Sequence, residues 1–206
     1  MGRGPHPTRL DVVPENREEE DIEMTRTIDI TTRRGPAAVT LRELGPDEHD
    51  VLDAVFAGLS QTSRHHRFHA PIRRLSDPMR AHLGAVDGHR HLAVAAFAGG
   101  APIGIARLIG FGCGPPGRVE LAVEVVDAWQ RRGVGLRLVR EVLARGRAAG
   151  HREVVAEVLA ENVGMQMLLF AVLPDLTWVE DGPELTFTGS LAGPPPGDPA
   201  LAGVAA

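Results

Sequence analysis

The stretch "DAWQRRGVGLRLV" (residues 127–139) decides the fold. Upstream of it, "VELAVEVV" (119–126) is rich in β-branched residues and alternates, which reads as a strand. Downstream, Val134, Leu138 and Val142 recur at helical spacing, as do Val139 and Leu143. The stretch is therefore a strand–turn–helix junction. Gly133 and Gly135 remove side chains where the first backbone N–H groups of a new helix lack partners. Such a turn suits an anion, a phosphate above all.

The chain around it has 206 residues, enough for one well-cored domain. Its 43% hydrophobic and 24% charged residues are values of a soluble globular protein. A net charge of -5 argues against broad nucleic-acid binding, which needs a basic surface. No apolar run approaches a membrane span, and the polar, proline-rich start is not a signal peptide. A single cysteine, Cys113, excludes an internal disulfide and a Cys-clustered zinc site, so a cytoplasmic location is expected. All 22 basic residues are arginine, and tyrosine is absent.

Residues 1–36 combine "GRGPHPTRL", the acidic run "ENREEED" and "TTRRGP" and read as a disordered leader, with Met24 an alternative start. Residues 192–206 read as a disordered proline-rich tail. Between them, 37–191 form one domain. "AVTLREL" is its first strand and "GPDEHDVLDAVFAGLS" a helix. "SRHHRFHAPIRRLS" is an irregular basic connection, followed by a helix over 77–85. A hairpin turns around 98–101. Strand 118–126, helix 133–149, strand 153–159, helix 163–173 and a final hairpin in "LTWVEDGPELTFTG" complete a mixed α/β order.

That order, with "QRRGVG" (130–135) after the fourth strand, resembles the GNAT acetyltransferase superfamily, whose pattern is Gln/Arg-x-x-Gly-x-Gly/Ala. Asn162, in "LAENVGM", falls where the family has an Asn at the start of its last core helix. More narrowly, "SRHHRF", "VELAVEVVDAWQRRGVG" and "VLAENVGM" are similar to the catalytic domain of bacterial protein-lysine acetyltransferases. The resemblance implies a single-domain GNAT-type α/β fold, its mixed, mostly antiparallel sheet flanked by helices. It implies acetyl-CoA as co-substrate, no metal, and an amine acceptor.

It also implies roles. The pyrophosphate of coenzyme A rests on the backbone amides of Arg131, Arg132, Gly133, Val134 and Gly135, with Gln130, Leu136 and Asn162 beside them. The strand carrying Val123, Glu124 and Val125 splays from the next one, so the pantetheine arm pairs with the backbone of Val123 and Val125. The N–H of Val123 serves the developing oxyanion. Glu120, ten residues before Gln130 as in the similar enzymes, takes the amine proton. Glu124 shares its strand face and is read as shaping the site, or as solvated. In many GNAT enzymes a tyrosine on the last core helix protonates the departing thiolate. Counting from Asn162, that position falls on Leu169, so a tyrosine acid is missing.

The favoured acceptor is a protein lysine side chain. A small-molecule amine and a non-catalytic acyl-CoA-binding regulatory role are the alternatives. Other residues read more plainly. His65, His66 and His69 sit at a spacing that suits a substrate-side loop better than a zinc site. His89 and His91 flank a strand, Cys113 lies in a loop, and Trp129 and Trp178 are packing residues, buried or half-buried.

Overall fold

The computed structural model describes residues 25–32, 35–112 and 117–192. Along it run β1 (Arg26–Thr32), β2 (Gly35–Glu43), α1 (His49–Ala57), α2 (Gln61–Phe68), α3 (Asp77–Gly84), β3 (His91–Ala98), β4 (Ala101–Gly110) and β5 (Arg118–Val125). Then follow α4 (Val134–Ala148), β6 (Glu153–Leu159), α5 (Val163–Val172), β7 (Thr177–Asp181) and β8 (Glu184–Ser190). The strands form one sheet in the order β1-β2-β3-β4-β5-β6-β8-β7. Every neighbouring pair is antiparallel except β5 with β6.

Both faces of the sheet are covered, and alternation along β3 shows how. Leu92, Val94 and Ala96 join the core beneath α4 and α5, while Ala93 and Ala95 join a second core under α1 and α3. Helix α4 buries Val134, Leu138, Val139, Val142 and Leu143, the stripe anticipated from their spacing. It lies so close to the sheet that a Cβ at Gly146 would meet the Leu108 side chain at 2.5 Å. No helix among the described residues is long and apolar enough to cross a membrane.

Two expectations are corrected. The leader reading fails at its inner end, because Arg26–Thr32 pair with β2 as the edge strand β1, and β2 itself begins at Gly35. "RTIDITT" alternates with period two, but its short, polar composition is that of an edge strand and imitates a linker. The connection read as irregular holds helix α2. Ser60 caps it by accepting a hydrogen bond from the Ser63 N–H, and His69 ends it in the left-handed region at φ 51°. No residue of α2 is buried, so the apolar periodicity that betrays most helices is missing. Cys113, Met24, residues 1–23 and the tail from 193 onward lie outside the described residues.

His91 opens β3 as a buried histidine. Burial, helped by the nearby charges of Arg107 and His82, pushes its pKa down from 6.5 to about 4. Between those values the folded ring stays neutral while the unfolded chain binds a proton, so acid favours unfolding. Stability is therefore expected to be full above pH 6.5 and to fall toward pH 4, at up to about 1.4 kcal/mol per pH unit. Urea titrations across this window check it: His91→Gln should flatten the slope, and an unchanged slope would assign it to other groups.

Candidate active site

The site begins where β5 stops. Asp127–Trp129 make one turn of 3-10 helix, after which Arg131 and Gly133 take left-handed conformations at φ 58° and 81°. Gly133 can adopt that geometry without strain, and from it the chain enters α4. The first bond of that helix runs from the Arg137 N–H to the Gly133 carbonyl, and no side chain caps its start. The N–H groups of Val134, Gly135 and Leu136 thus precede the helical ladder, the arrangement that holds anions. Arg131 is exposed beside them, and the Arg132 guanidinium lies 5.3 Å over the Trp129 ring.

A polar latch fixes this turn to α2. The Gln130 amide donates to the Val125 carbonyl at 3.0 Å, to Ser63 Oγ at 3.0 Å and to Asp127 Oδ1 at 3.2 Å. Asp127 also accepts from Ser63 Oγ at 2.7 Å and from the Ser60 N–H at 3.2 Å. Partial burial works to raise the Asp127 pKa, but these bonds outweigh it and hold the carboxyl below its usual range. Gln130, expected beside the co-substrate, is thus also the bolt of the turn.

Upstream, β5 and β6 pair only from Arg118 with Glu153 to Glu120 with Val155, and then part. The resulting cleft of about 620 Å³ has β5 on one side, Glu157 and Val158 of β6 on the other, and Gly164, Met165 and Leu168 of α5 toward the turn. Val126 donates its N–H to Ile103 on β4, whereas the Val125 carbonyl turns to Gln130. By strand alternation the N–H and C=O of Val123 also point away from β4, into the gap. Asn162 caps α5, its Oδ1 accepting the Met165 N–H at 3.1 Å. Leu169 is wholly buried in the core, so the cleft-lining positions on α5 are Gly164, Met165 and Leu168, none of whose side chains can donate a proton.

The two glutamates of β5 have opposite surroundings. Glu120 stands at the fork, half-buried in the cleft wall, with no hydrogen-bond or ion-pair partner among the described residues. Glu124 is 6% exposed, which corrects the reading that left it solvated. Its Oε2 accepts from Arg67 Nε of α2 at 2.5 Å, and Oε1 lies 3.8 Å from Arg107 Nη2 of β4. Arg107 is itself 1% exposed; burial lowers its pKa and the Glu124 charge opposes that. Opposite Glu120, His69 Nδ1 meets Glu184 Oε1 at 2.8 Å and His66 Nε2 lies 3.4 Å from Glu161. His66, His69, Glu157 and Glu184 line the cleft. Sequence reasoning missed Arg107, Glu157 and Glu184 because each gains its place through a tertiary neighbour, with no motif to mark it, and it quoted Arg67 within "SRHHRF" without giving it a role.

A strand pair that forks beside an uncapped, glycine-bearing helix start, with a free carboxylate at the fork, defines an acyltransferase architecture. A family model described as the acetyltransferase (GNAT) family matches residues 56–169, more than half of the chain. The chain belongs to the GNAT acetyltransferase family. Among solved structures it is similar to the GNAT domain of S. lividans PAT, at 26% identity and a TM-score of 0.70, covering 80% of this chain and 96% of that one. A cAMP-binding acyltransferase from Mycobacterium smegmatis shares the fold at 21% identity and a TM-score of 0.55. That match covers 86% of this chain, which spans about half (51%) of the mycobacterial protein. The yncA protein of Salmonella typhimurium, solved with acetyl-CoA, shares the fold at 18% identity and a TM-score of 0.54, over 74% of this chain and 94% of that one. A comparison with curated protein sequences yields no match.

Proposed function

We propose that this protein moves an acetyl group from acetyl-CoA to a primary amine, with a protein lysine side chain as the acceptor. The observation that carries the reading is the fork: β5 and β6 separate directly after Glu120, at the opposite end of the gap from the unpartnered N–H groups of the turn. The pyrophosphate of the co-substrate fits the amides of residues 131–135, and the arm fits the gap beside Val123 and Val125. The Val125 carbonyl is already engaged by Gln130, so Val123 is the main backbone partner left for the arm. Acetyl-CoA supplies an activated thioester there. The chain's own residues do the rest. Glu120 accepts the proton that the attacking amine must lose, and the Val123 N–H donates to the carbonyl oxygen as it gathers charge. The new C–N bond replaces the C–S bond. The leaving thiol has a pKa near 8.5 and departs without a tyrosine acid.

Glu120, Glu157 and Glu184 make the acceptor side of the cleft acidic, which suits an amine that arrives as an ammonium ion. The likeness of "SRHHRF", "VELAVEVVDAWQRRGVG" and "VLAENVGM" to protein-lysine acetyltransferases favours a lysine over a small amine, and a cytoplasmic setting follows from that role. The test is thiol release from acetyl-CoA across a panel of lysine-bearing proteins and small amines. The expected result is turnover stimulated most by a protein; preference for a small amine would change the acceptor, and no turnover would leave a binding protein.

One consequence is peculiar to this chain, which has no lysine. After incubation with acetyl-CoA its intact mass should rise by at most one stable acetyl group, on the N-terminal amine. Several stable additions would show that the acceptor chemistry is not amine acylation.

A further inference from the structure

Trp178, read as a packing residue, is 54% exposed on the strand that ends the sheet. All five residues of β7 are exposed, and β8 is its sole ladder partner among the described residues. On the α5 side of the sheet, Trp178 packs edge-on against Phe170 at 5.6 Å and beside Phe187 at 6.2 Å. Phe170 is itself half exposed, and Met167 and Val163 continue the apolar strip along the outer face of α5. On the other side of the sheet stands Val179, 70% exposed. An open edge flanked by apolar side chains on both faces is what a further strand covers.

We propose that this edge binds a second copy of the chain, β7 pairing antiparallel with the partner's β7 about a two-fold axis at Val179. The exposed apolar residues on both faces, Trp178 and Val179, can meet their own copies and select the occupant, and charge selects the direction. The strand "TWVED" is neutral at its start and acidic at its end. Parallel pairing would set Glu180 and Asp181 beside their own copies, about 4.8 Å away, at a cost in repulsion. Antiparallel pairing centred on Val179 sets Thr177 opposite the partner's Asp181 and Trp178 opposite the partner's Glu180, so no like charges lie directly opposite and the two Glu180 carboxylates move out to a diagonal about 7–8 Å long. It also pairs Val179 with the partner's Val179 on one face. On the other face the two tryptophans become diagonal neighbours at about 7–8 Å, within reach of aromatic rings. The contact is self-complementary and closes as a dimer, because each β7 edge is used up by its own copy. The cleft-facing residues of α5, Met165 and Leu168, are not those of the strip, so the dimer leaves the proposed transfer site unobstructed.

Sedimentation velocity of the full chain from about 1 to 100 µM tests this. The wild type should show twice the monomer mass, and β7 amides should become protected from hydrogen exchange as concentration rises. Val179→Lys places two like charges across the axis and should give a folded monomer with an unchanged thiol-release rate and a melting temperature that no longer rises with protein concentration. Val179→Thr should remain dimeric. If Val179→Lys does not fold, Trp129→Phe leaves Trp178 as the remaining tryptophan of the two in the chain, and its emission should shift to the blue with concentration. A monomer throughout the range, a dimer that persists in Val179→Lys, or emission independent of concentration would each overturn the proposal.

Discussion

Glu120→Gln is expected to lower turnover by about 10²-fold or more, the usual range for a lost general base. Affinity for acetyl-CoA should hardly change, because the N–H groups at the start of α4 stay in place. Raising the pH should recover part of the rate, since more of the acceptor amine then arrives already neutral. Glu124→Gln is the control that separates the two carboxylates. Four positions along the strand put them about 13 Å apart, so they cannot both touch one amine. Glu124 is held by Arg67 and Arg107, and its removal leaves a buried guanidinium without its counter-charge. Its cost should therefore appear as a lower melting temperature, with turnover affected far less. Steady-state kinetics of both variants decide the assignment: a Glu120→Gln enzyme of near wild-type rate at neutral pH would sink it.

Gly135→Glu is expected to abolish the rise in melting temperature that acetyl-CoA confers, while leaving a folded protein. A Cβ at this position would lie 3.7 Å from Leu168 and from Val125, ordinary contact distances, so the fold has room for it. The carboxylate beyond it repels the phosphates and fills the space above the exposed N–H groups. The wild type should gain about 2.7 kcal/mol at a hundredfold excess over Kd, by mass action. Thermal denaturation with and without acetyl-CoA reads both outcomes. An equal shift in wild type and variant would remove the phosphate from "QRRGVG".

The parts of the fold that were legible in the sequence share one property: their signal is local and apolar. Strand β6 falls at 153–159 as read, because Val154, Val155, Ala156, Val158 and Leu159 form a run buried on both faces. The β3–β4 hairpin turns at Gly99 and Gly100, both at positive φ, where small residues announced it. The turn of 130–135 was legible because the spacing of its glycines is dictated by the backbone it must make. What escaped is held by polar or distant partners. Strand β1 is tied down by its pairing with β2, and α2 by side-chain bonds. Glu124 could be read as shaping the site or as solvated, because the arginines that neutralise it come from 57 residues upstream, in α2, and from the adjacent strand β4. Trp178 does pack, against Phe170 and Phe187, but its large exposure was not legible because its place at the sheet edge is set by the order of the strands.

Helix α2 reaches the hydrophobic cores only through Phe68, which packs against Phe56, yet it lines the wall of the cleft on the proposed acceptor side. It is attached by contacts that can be exchanged one at a time: Ser63 with Asp127, Arg67 with Glu124, His66 with Glu161 and, just past its end, His69 with Glu184. Apart from one at Phe68, a substitution on that wall disturbs no packed layer beneath it, whereas one in α4 meets the sheet at once. The end of the cleft proposed for the phosphates is thereby locked into the fold, and the proposed acceptor end is free to be rewritten. A chain built this way can change its clientele over generations while keeping its chemistry, as a tool keeps its handle when the bit is replaced.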